Sequence, residues 1–386
     1  MNKKRMIKLI PVFTVLAGFI VGGIIIAANG SNPFEAFYNL LQGCGLAPKA
    51  SYAGKKGMIT DLLSFIDAWT PMIFASMAVA VAMRVGLFNI GVSGQMLFAG
   101  FTATVLVGYS GLSAVIAKPL VIIVGIVAGA FAGAIIGFLK YKFNINEVVS
   151  SIMLNYTFSY VVSFLINTFL VDPVSRQSKA VSAASRLTLK EVEVGAFKMD
   201  IPLGIIIAAI AVVAIWFFLN KTVSGLEMKA VGLSNSAAKY AGINVNGNIM
   251  KAMMISGALA GLAGVTYYLG YFGSIQPRVL ASTGFDAVAV SLLGNNQPIG
   301  IVFASFLITV LSKGSTYMAS ASGVQSEIAN VITGVILLFC ACNAFIKWYI
   351  TNKDVNIKKT DKKSKKAEAS VSSGKQDEAN KEGEVK

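Results

Sequence analysis

Unbroken apolar runs of about twenty residues recur along this chain, and no other feature constrains its fold as tightly. A helix rises about 1.5 Å per residue, so roughly 20 apolar residues cover the hydrocarbon core of a bilayer. The runs are continuous and not spaced at i, i+3 and i+4, which excludes amphipathic helices around a soluble core. Hydrophobic residues make up 55% of the 386 and charged residues 13%, whereas a soluble domain carries about 25% charge.

The expected fold class is an all-α polytopic membrane protein with about ten membrane elements. They are read at 7–28, 62–83, 90–109, 114–139, 148–171, 201–219, 249–272, 284–293, 298–313 and 326–350. The eighth is too short to cross and is expected as a half-helix or a tilted piece packed against protein. The first follows a basic stretch but lacks a small-x-small cleavage site, so it reads as an uncleaved span and not a signal peptide. Residues 1–352 form the expected transmembrane domain. Residues 353–386 mix Lys, Glu, Asp, Ser and Ala with almost no large apolar side chain, and are expected to be a disordered cytoplasmic tail.

The formal net charge is +15, with much of the excess at Lys3, Lys4, Arg5 and Lys8 and beyond Trp348. The charges lie between and beside apolar spans, which fits an anionic membrane surface and excludes a nucleic-acid face. Ten elements with the N-terminus inside place the C-terminus inside and Arg84, Lys140, Lys142 and 220–248 on the cytoplasmic side. The outer segment 172–200 runs against this bias with Arg176, Lys179, Arg186, Lys190 and Lys198, partly offset by Glu191 and Glu193. There is no histidine, which removes histidine-ligated metal sites, Ser-His-Asp triads and histidine proton relays. Cys44, Cys340 and Cys342 are too sparse for a disulfide framework and read as packing residues. No metal, cofactor or catalytic residue is expected.

The informative residues are the polar ones inside apolar spans, because a polar group in hydrocarbon must pair or face a cavity. The first break is Arg84-Val-Gly-Leu-Phe-Asn-Ile-Gly-Val-Ser-Gly-Gln-Met, with Asn89, Ser93 and Gln95 at the head of the third span. The second runs from Asn144 to Tyr156. There Asn146 can cap the fifth helix, Glu147 sits in its first turn, and Ser151 and Asn155 share a face with Glu147. The third is a short helix containing Asp286 and ending in Gly294, Asn295, Asn296, Gln297 and Pro298. Each admits two readings, tight packing with amide glue or the lining of a pathway. In 221–248, Ser234 can cap a short helix that Gly242 stops. A surface helix there suits either docking to another protein or a solvated connector. The segment 29–61 reads as an extended outer loop.

In these segments the sequence resembles the permeases of ABC importers for nucleosides and simple sugars, within the wider ribose and branched-chain amino acid permease family. Gly86-Leu-Phe-Asn-Ile-Gly-Val-Ser-Gly-Gln-Met, Asn146-Glu-Val-Val-Ser-Ser-Ile-Met-Leu-Asn-Tyr and Ala230-Val-Gly-Leu-Ser-Asn-Ser-Ala-Ala-Lys-Tyr-Ala-Gly-Ile carry the likeness, which extends over 62–350. It implies a bacterial cytoplasmic-membrane permease that moves nucleosides by alternating access, with ribose or another simple sugar as the nearest alternative. It implies four kinds of partner: a cytoplasmic ABC ATPase, a second permease chain in a heterodimer, an extracytoplasmic substrate-binding lipoprotein and membrane lipid. The implied pathway residues are Asn89, Ser93, Gln95, Asn146, Glu147, Ser151, Asn155, Asp286, Asn295 and Asn296. The implied ATPase-coupling residues are Gly225, Glu227, Lys229, Gly232, Asn235, Ala238, Tyr240 and Gly242. No Gly-x-x-x-x-Gly-Lys-Ser/Thr loop occurs, in keeping with ATP hydrolysis by a partner and not by this chain. An ion-coupled secondary transporter is the rival class, and its coupling carboxylates would be Glu147 or Asp286.

Overall fold

The computed structural model describes residues 3–49, 57–194, 197–323, 325, 327–328, 330–332, 334–335 and 338. The tail 353–386, the cysteines Cys340 and Cys342 and most of the tenth expected element lie outside the described residues. Twelve α-helices and one two-stranded antiparallel hairpin are formed among them. The helices are α1 (Lys3–Ala28), α2 (Pro33–Gly43), α3 (Met58–Arg84), α4 (Val92–Ala103), α5 (Ala114–Phe143) and α6 (Glu147–Leu165). After the hairpin β1 (Thr188–Val194) and β2 (Phe197–Pro202) come α7 (Gly204–Lys221), α8 (Val223–Leu233), α9 (Asn235–Tyr240), α10 (Val245–Val265), α11 (Ser282–Leu293) and α12 (Pro298–Ser322).

Six of these helices are long and apolar enough to cross a membrane. A seventh crossing is available to α1 and α2 as one pair bent by 113°. Two shorter apolar stretches, Val92–Gly108 and Ser282–Leu293, complete the set of membrane elements. The second of these is the expected half-helix: twelve residues span only about 18 Å.

α3 lies at the centre, packed along α10, α11 and α12. The continuous stretch from Thr70 to Ala82 is buried on every side, which is why no amphipathic stripe marks this helix. α5 packs along α10 through glycines. A Cβ at Gly257 would lie 2.2 Å from the carbonyl oxygen of Gly129, and one at Gly133 would lie 2.2 Å from that of Met253. Lipid tails supply no hydrophobic drive between helices, so close backbone approach with van der Waals contact holds this pair together. Three helices end in π-helical turns, Thr104–Gly108, Ile166–Leu170 and Thr266–Phe272.

Two connections differ from the sequence expectation. The segment 29–61 is not one extended loop: Asn32 accepts from the Phe34 N–H at 3.0 Å, Pro33 opens the first turn, and α2 forms and packs against α12. The segment 172–200 carries β1 and part of β2, and β2 continues to Pro202, so α7 starts at Gly204 and not at 201. The hairpin is pinned to the bundle where Thr188 Oγ1 donates to the buried Asp67 carboxylate at 2.7 Å. Lys118 Nζ also donates to the carbonyl of Arg186 just before β1. α12 likewise extends nine residues past the expected end at Lys313, which places that ammonium inside a helix.

Candidate functional site

The polar breaks separate into three structural groups. Asn89, Ser93, Gln95 and Asn155 are fully enclosed and joined in hydrogen bonds. Asn89 Nδ2 donates to Ser256 Oγ of α10 at 2.9 Å and to Gln95 Oε1 at 3.2 Å, while its Oδ1 accepts from the Gly91 N–H at 2.9 Å. Ser93 Oγ donates to the carbonyl of Ala281 at 2.9 Å. Asn155 of α6 accepts from the Gly94 N–H at 2.9 Å and donates to the carbonyl of Ile90 at 3.0 Å. Residues 85–91 connect α3 to α4, and Asn89 and Asn155 satisfy the Gly91 and Gly94 N–H groups and the Ile90 carbonyl, which would otherwise be orphaned in an apolar interior.

A second group sits at the ends of helices. Asn146 caps α6, accepting from the Val148 N–H at 2.8 Å. Glu147 pairs with Lys140 at 3.0 Å, and Ser151 Oγ donates back to the Glu147 carbonyl at 2.6 Å. Asn295 and Asn296 form the α11–α12 turn with φ of 54° each, the left-handed region that asparagine tolerates. Arg84 Nη2 donates to the carbonyl of Asn296 at 2.9 Å, and Ser291 Oγ donates to its side-chain oxygen at 2.8 Å.

Of the expected pathway residues, Asp286 lines a large cavity, and the others are not among the described residues of its wall. The cavity has a volume of about 590 Å³, within the range of small-molecule sites. It is bounded by the C-terminal end of α2, the first half of α3, the end of α10, α11 and the second half of α12. Its described charged residues are Lys49, Asp61, Asp286 and Lys313, so it is formally neutral. Lys49 and Asp61 pair at 2.5 Å, and Lys313 Nζ donates to the Tyr271 hydroxyl at 2.9 Å. Asp286 has no hydrogen-bond or ion-pair partner among the described residues. Tyr267 and Tyr271 supply aromatic surface, with ring centroids 6.5 Å apart. Thr309 lies in the wall, 4% exposed, with its hydroxyl unpaired among the described residues. Chemically the cavity offers an unpaired carboxylate, hydroxyl-bearing side chains and aromatic surface, a set that suits a neutral, hydroxyl-bearing ring.

Sequence reasoning missed most of this wall. The two tyrosines lie in an apolar run where aromatic residues read as ordinary packing, and the lysine marked the end of its span. The cation inside an apolar helix was the usable signal, once the helix was known to continue. The reading also took Glu147 and Asp286 as the only carboxylates of the spans. α3 carries two more, Asp61, which pairs with Lys49, and Asp67, which is engaged by Thr188.

The segment 221–248 folds as two short helices, not one. Thr222 caps α8 through the Gly225 N–H at 3.1 Å, and Ser234 caps α9 through the Ala237 N–H at 3.3 Å. Gly242 follows with φ of 78°, the left-handed stop expected of a helix-ending glycine. Of the expected coupling residues, Gly225 and Ala238 are buried. A Cβ at Gly232 would meet the carbonyl oxygen of Arg84 at 2.1 Å. Glu227 accepts from Asn248 Nδ2 at 3.1 Å. Lys229, Asn235, Tyr240 and Gly242 face outward, together with Leu226 and Leu233, and Tyr240 is 94% exposed. A groove of about 380 Å³ separates α9 from the start of α10, lined by Asn235, Lys239 and Asn244 among others.

Residues 62–341 match the family described as branched-chain amino acid transport system / permease component. The nucleoside ABC transporter permease protein NupB of Lactococcus lactis subsp. cremoris (strain MG1363) is 35% identical over 355 residues, covering 90% of this chain and 94% of its own length. The guanosine ABC transporter permease protein NupP of Bacillus subtilis (strain 168) is 37% identical, covering 88% of this chain and 94% of its own length. The glucose ABC transporter permease protein TsgB13 of Haloferax volcanii is 28% identical and covers 88% of each chain. With its run of apolar helices and its match over 62–341, this chain is a multi-pass membrane protein that belongs to the branched-chain amino acid transport system / permease component family.

Proposed function

We propose that this chain is the membrane-spanning subunit of an ABC importer and passes nucleosides into the cell. The observation that carries the reading is the identity of 35% and 37% to two nucleoside permeases along about nine-tenths of the chain. The neutral cavity at Asp286 supports it, because a nucleoside is uncharged, ring-shaped and rich in hydroxyls. Glucose, the substrate in the name of the third relative, shares with a ribonucleoside its neighbouring ring hydroxyls. A simple sugar is therefore the second reading.

The energy comes from a cytoplasmic ATPase seated on 221–248, where Leu226, Leu233 and Tyr240 leave apolar surface beside a polar groove. A second permease chain completes the pathway, and an extracytoplasmic binding lipoprotein delivers the substrate. The termini face the cytoplasm, as the basic residues at both ends favour, and the tail 353–386 meets lipid head groups. Uptake of labelled nucleosides and of ribose by a strain deleted for this chain tests the reading. Loss of nucleoside uptake, restored by the chain in trans only with an active ATPase, is the expected result. Uptake that survives ATPase loss and collapses with an ion gradient assigns the chain to the secondary transporters instead.

A further inference from the structure

We infer that Asp286 reads the sugar of the transported nucleoside, its carboxylate accepting hydrogen bonds from the 2′- and 3′-hydroxyls of ribose; this rests on the nucleoside reading above. The carboxylate faces the cavity with no donor of its own among the described residues, although three of the four charged lining groups there are held: Lys49 and Asp61 by each other, Lys313 by Tyr271. An ionised carboxylate accepts only, through two oxygens, so its complement is a pair of neighbouring donors. A vicinal diol presents such a pair, and acidic side chains hold ribose hydroxyls in the same way in dinucleotide sites. Tyr267 and Tyr271 line the same cavity and supply aromatic surface of the kind on which any base can pack. The division follows from the chemistry: the constant sugar is held by hydrogen bonds and the variable base by an aromatic surface. A diol held by one charged acceptor is also bound weakly enough to be released, which transit requires.

The test is uptake into proteoliposomes holding the whole transporter, with its ATPase, its permease partner and saturating binding protein. Adenosine, guanosine and their 2′,3′-dideoxy forms are compared in wild type, Asp286→Asn and Asp286→Glu. Dividing each variant's rate by the wild-type rate for the same substrate cancels any selectivity of the binding protein. Loss of a charged acceptor for two hydroxyls is expected to slow both ribonucleosides about tenfold in Asp286→Asn and to leave the dideoxy forms within about twofold. Asp286→Glu keeps the acceptor and is expected to keep part of the preference. Equal slowing of all four substrates overturns the inference, as does no slowing. Loss that follows guanine whatever the sugar assigns the carboxylate to the base edge and overturns it too. If Asp286→Asn fails to assemble, the wild-type turnover rates decide: no preference for ribonucleosides once the binding protein is saturated overturns the inference. Wild-type vesicles that hydrolyse ATP but take up none of the four refute the nucleoside reading itself, an outcome distinct from all of these.

Discussion

The Asn155 side chain accepts from the Gly94 N–H at 2.9 Å and donates to the Ile90 carbonyl at 3.0 Å, so one amide of α6 serves as backbone partner on both sides of the α4 start. A Cβ at Gly94 would fall 2.5 Å from the Asn155 oxygen, so the glycine makes the approach possible. Asn155→Ala removes both bonds and leaves two buried main-chain groups without partners. It should destabilise the chain by about 2–6 kcal/mol, at about 1–3 kcal/mol for each orphaned group. Asn155→Asp keeps the acceptor and should lose less at neutral pH only if its charge is tolerated at this enclosed site. Thermal unfolding in detergent, read by size-exclusion recovery, gives the order. Equal stability of wild type and Asn155→Ala would show that the amide is not needed there.

The α5–α10 contact yields a second prediction. Gly257→Leu would drive a side chain into the Gly129 carbonyl at a place where backbone, not a movable side chain, is the obstacle. Overpacking commonly costs about 1–3 kcal/mol and exceeds this where backbone must move. Gly257→Ala should already lower the midpoint of unfolding, and Gly257→Leu should give no monodisperse protein. Gly111→Ala, at a glycine with open space around it, is the matched control and should behave as wild type.

How far the sequence could be read follows from where its polar residues point. Apolar length located the long helices, because span length depends on bilayer thickness and not on partners. Ser234, Asn146 and Gly242 were legible as caps and a stop because capping is a local interaction. α2 and the β hairpin were not legible. The Pro33 helix holds to the bundle through tertiary contacts such as Asn39 Nδ2 donating to Ser322 Oγ at 2.5 Å, far away in sequence. The amides Asn89, Gln95 and Asn155 carried a real signal that was ambiguous in kind: composition shows that a polar group in a span needs a partner, not whether that partner is backbone or solute. Asp286 differs from them only in what it lacks, and an absent partner is visible only in three dimensions.

Thr188 and Asp67 give a third prediction. The carboxylate is 6% exposed, and the threonine hydroxyl is its donor across 121 positions of sequence. Thr188→Val keeps the shape and removes the donor, leaving a buried acceptor unpaired at a cost of about 1–3 kcal/mol. Asp67→Asn keeps a hydrogen bond possible and removes the charge, so it should disturb the hairpin less. Limited proteolysis of the hairpin in intact, oriented vesicles reads the difference: faster cleavage is expected in Thr188→Val than in Asp67→Asn. The reverse order would place the stabilisation in the charge and not in the bond.

The last prediction concerns the proposed ATPase seat and separates folding from coupling. Bulky residues at Gly232 or Ala238 first look like coupling mutants, because both lie in the implied docking segment. Yet Ala238 is 3% exposed, and a Cβ at Gly232 would overlap the Arg84 carbonyl. Such changes act on packing, so Ala238→Leu should lower the amount of folded chain before any effect on transport appears. Leu233 and Tyr240 are 81% and 94% exposed and can be altered without touching that core. Tyrosine is enriched among the few interface residues whose truncation costs about 2 kcal/mol or more of binding, and a charge at Leu233 would have to be desolvated in the same contact. Leu233→Asp and Tyr240→Ala should therefore leave expression and thermal midpoint unchanged, weaken co-purification of the ATPase by at least about tenfold and abolish substrate-stimulated hydrolysis. Co-purification and stimulation at wild-type levels in the double variant would place the ATPase elsewhere on the molecule.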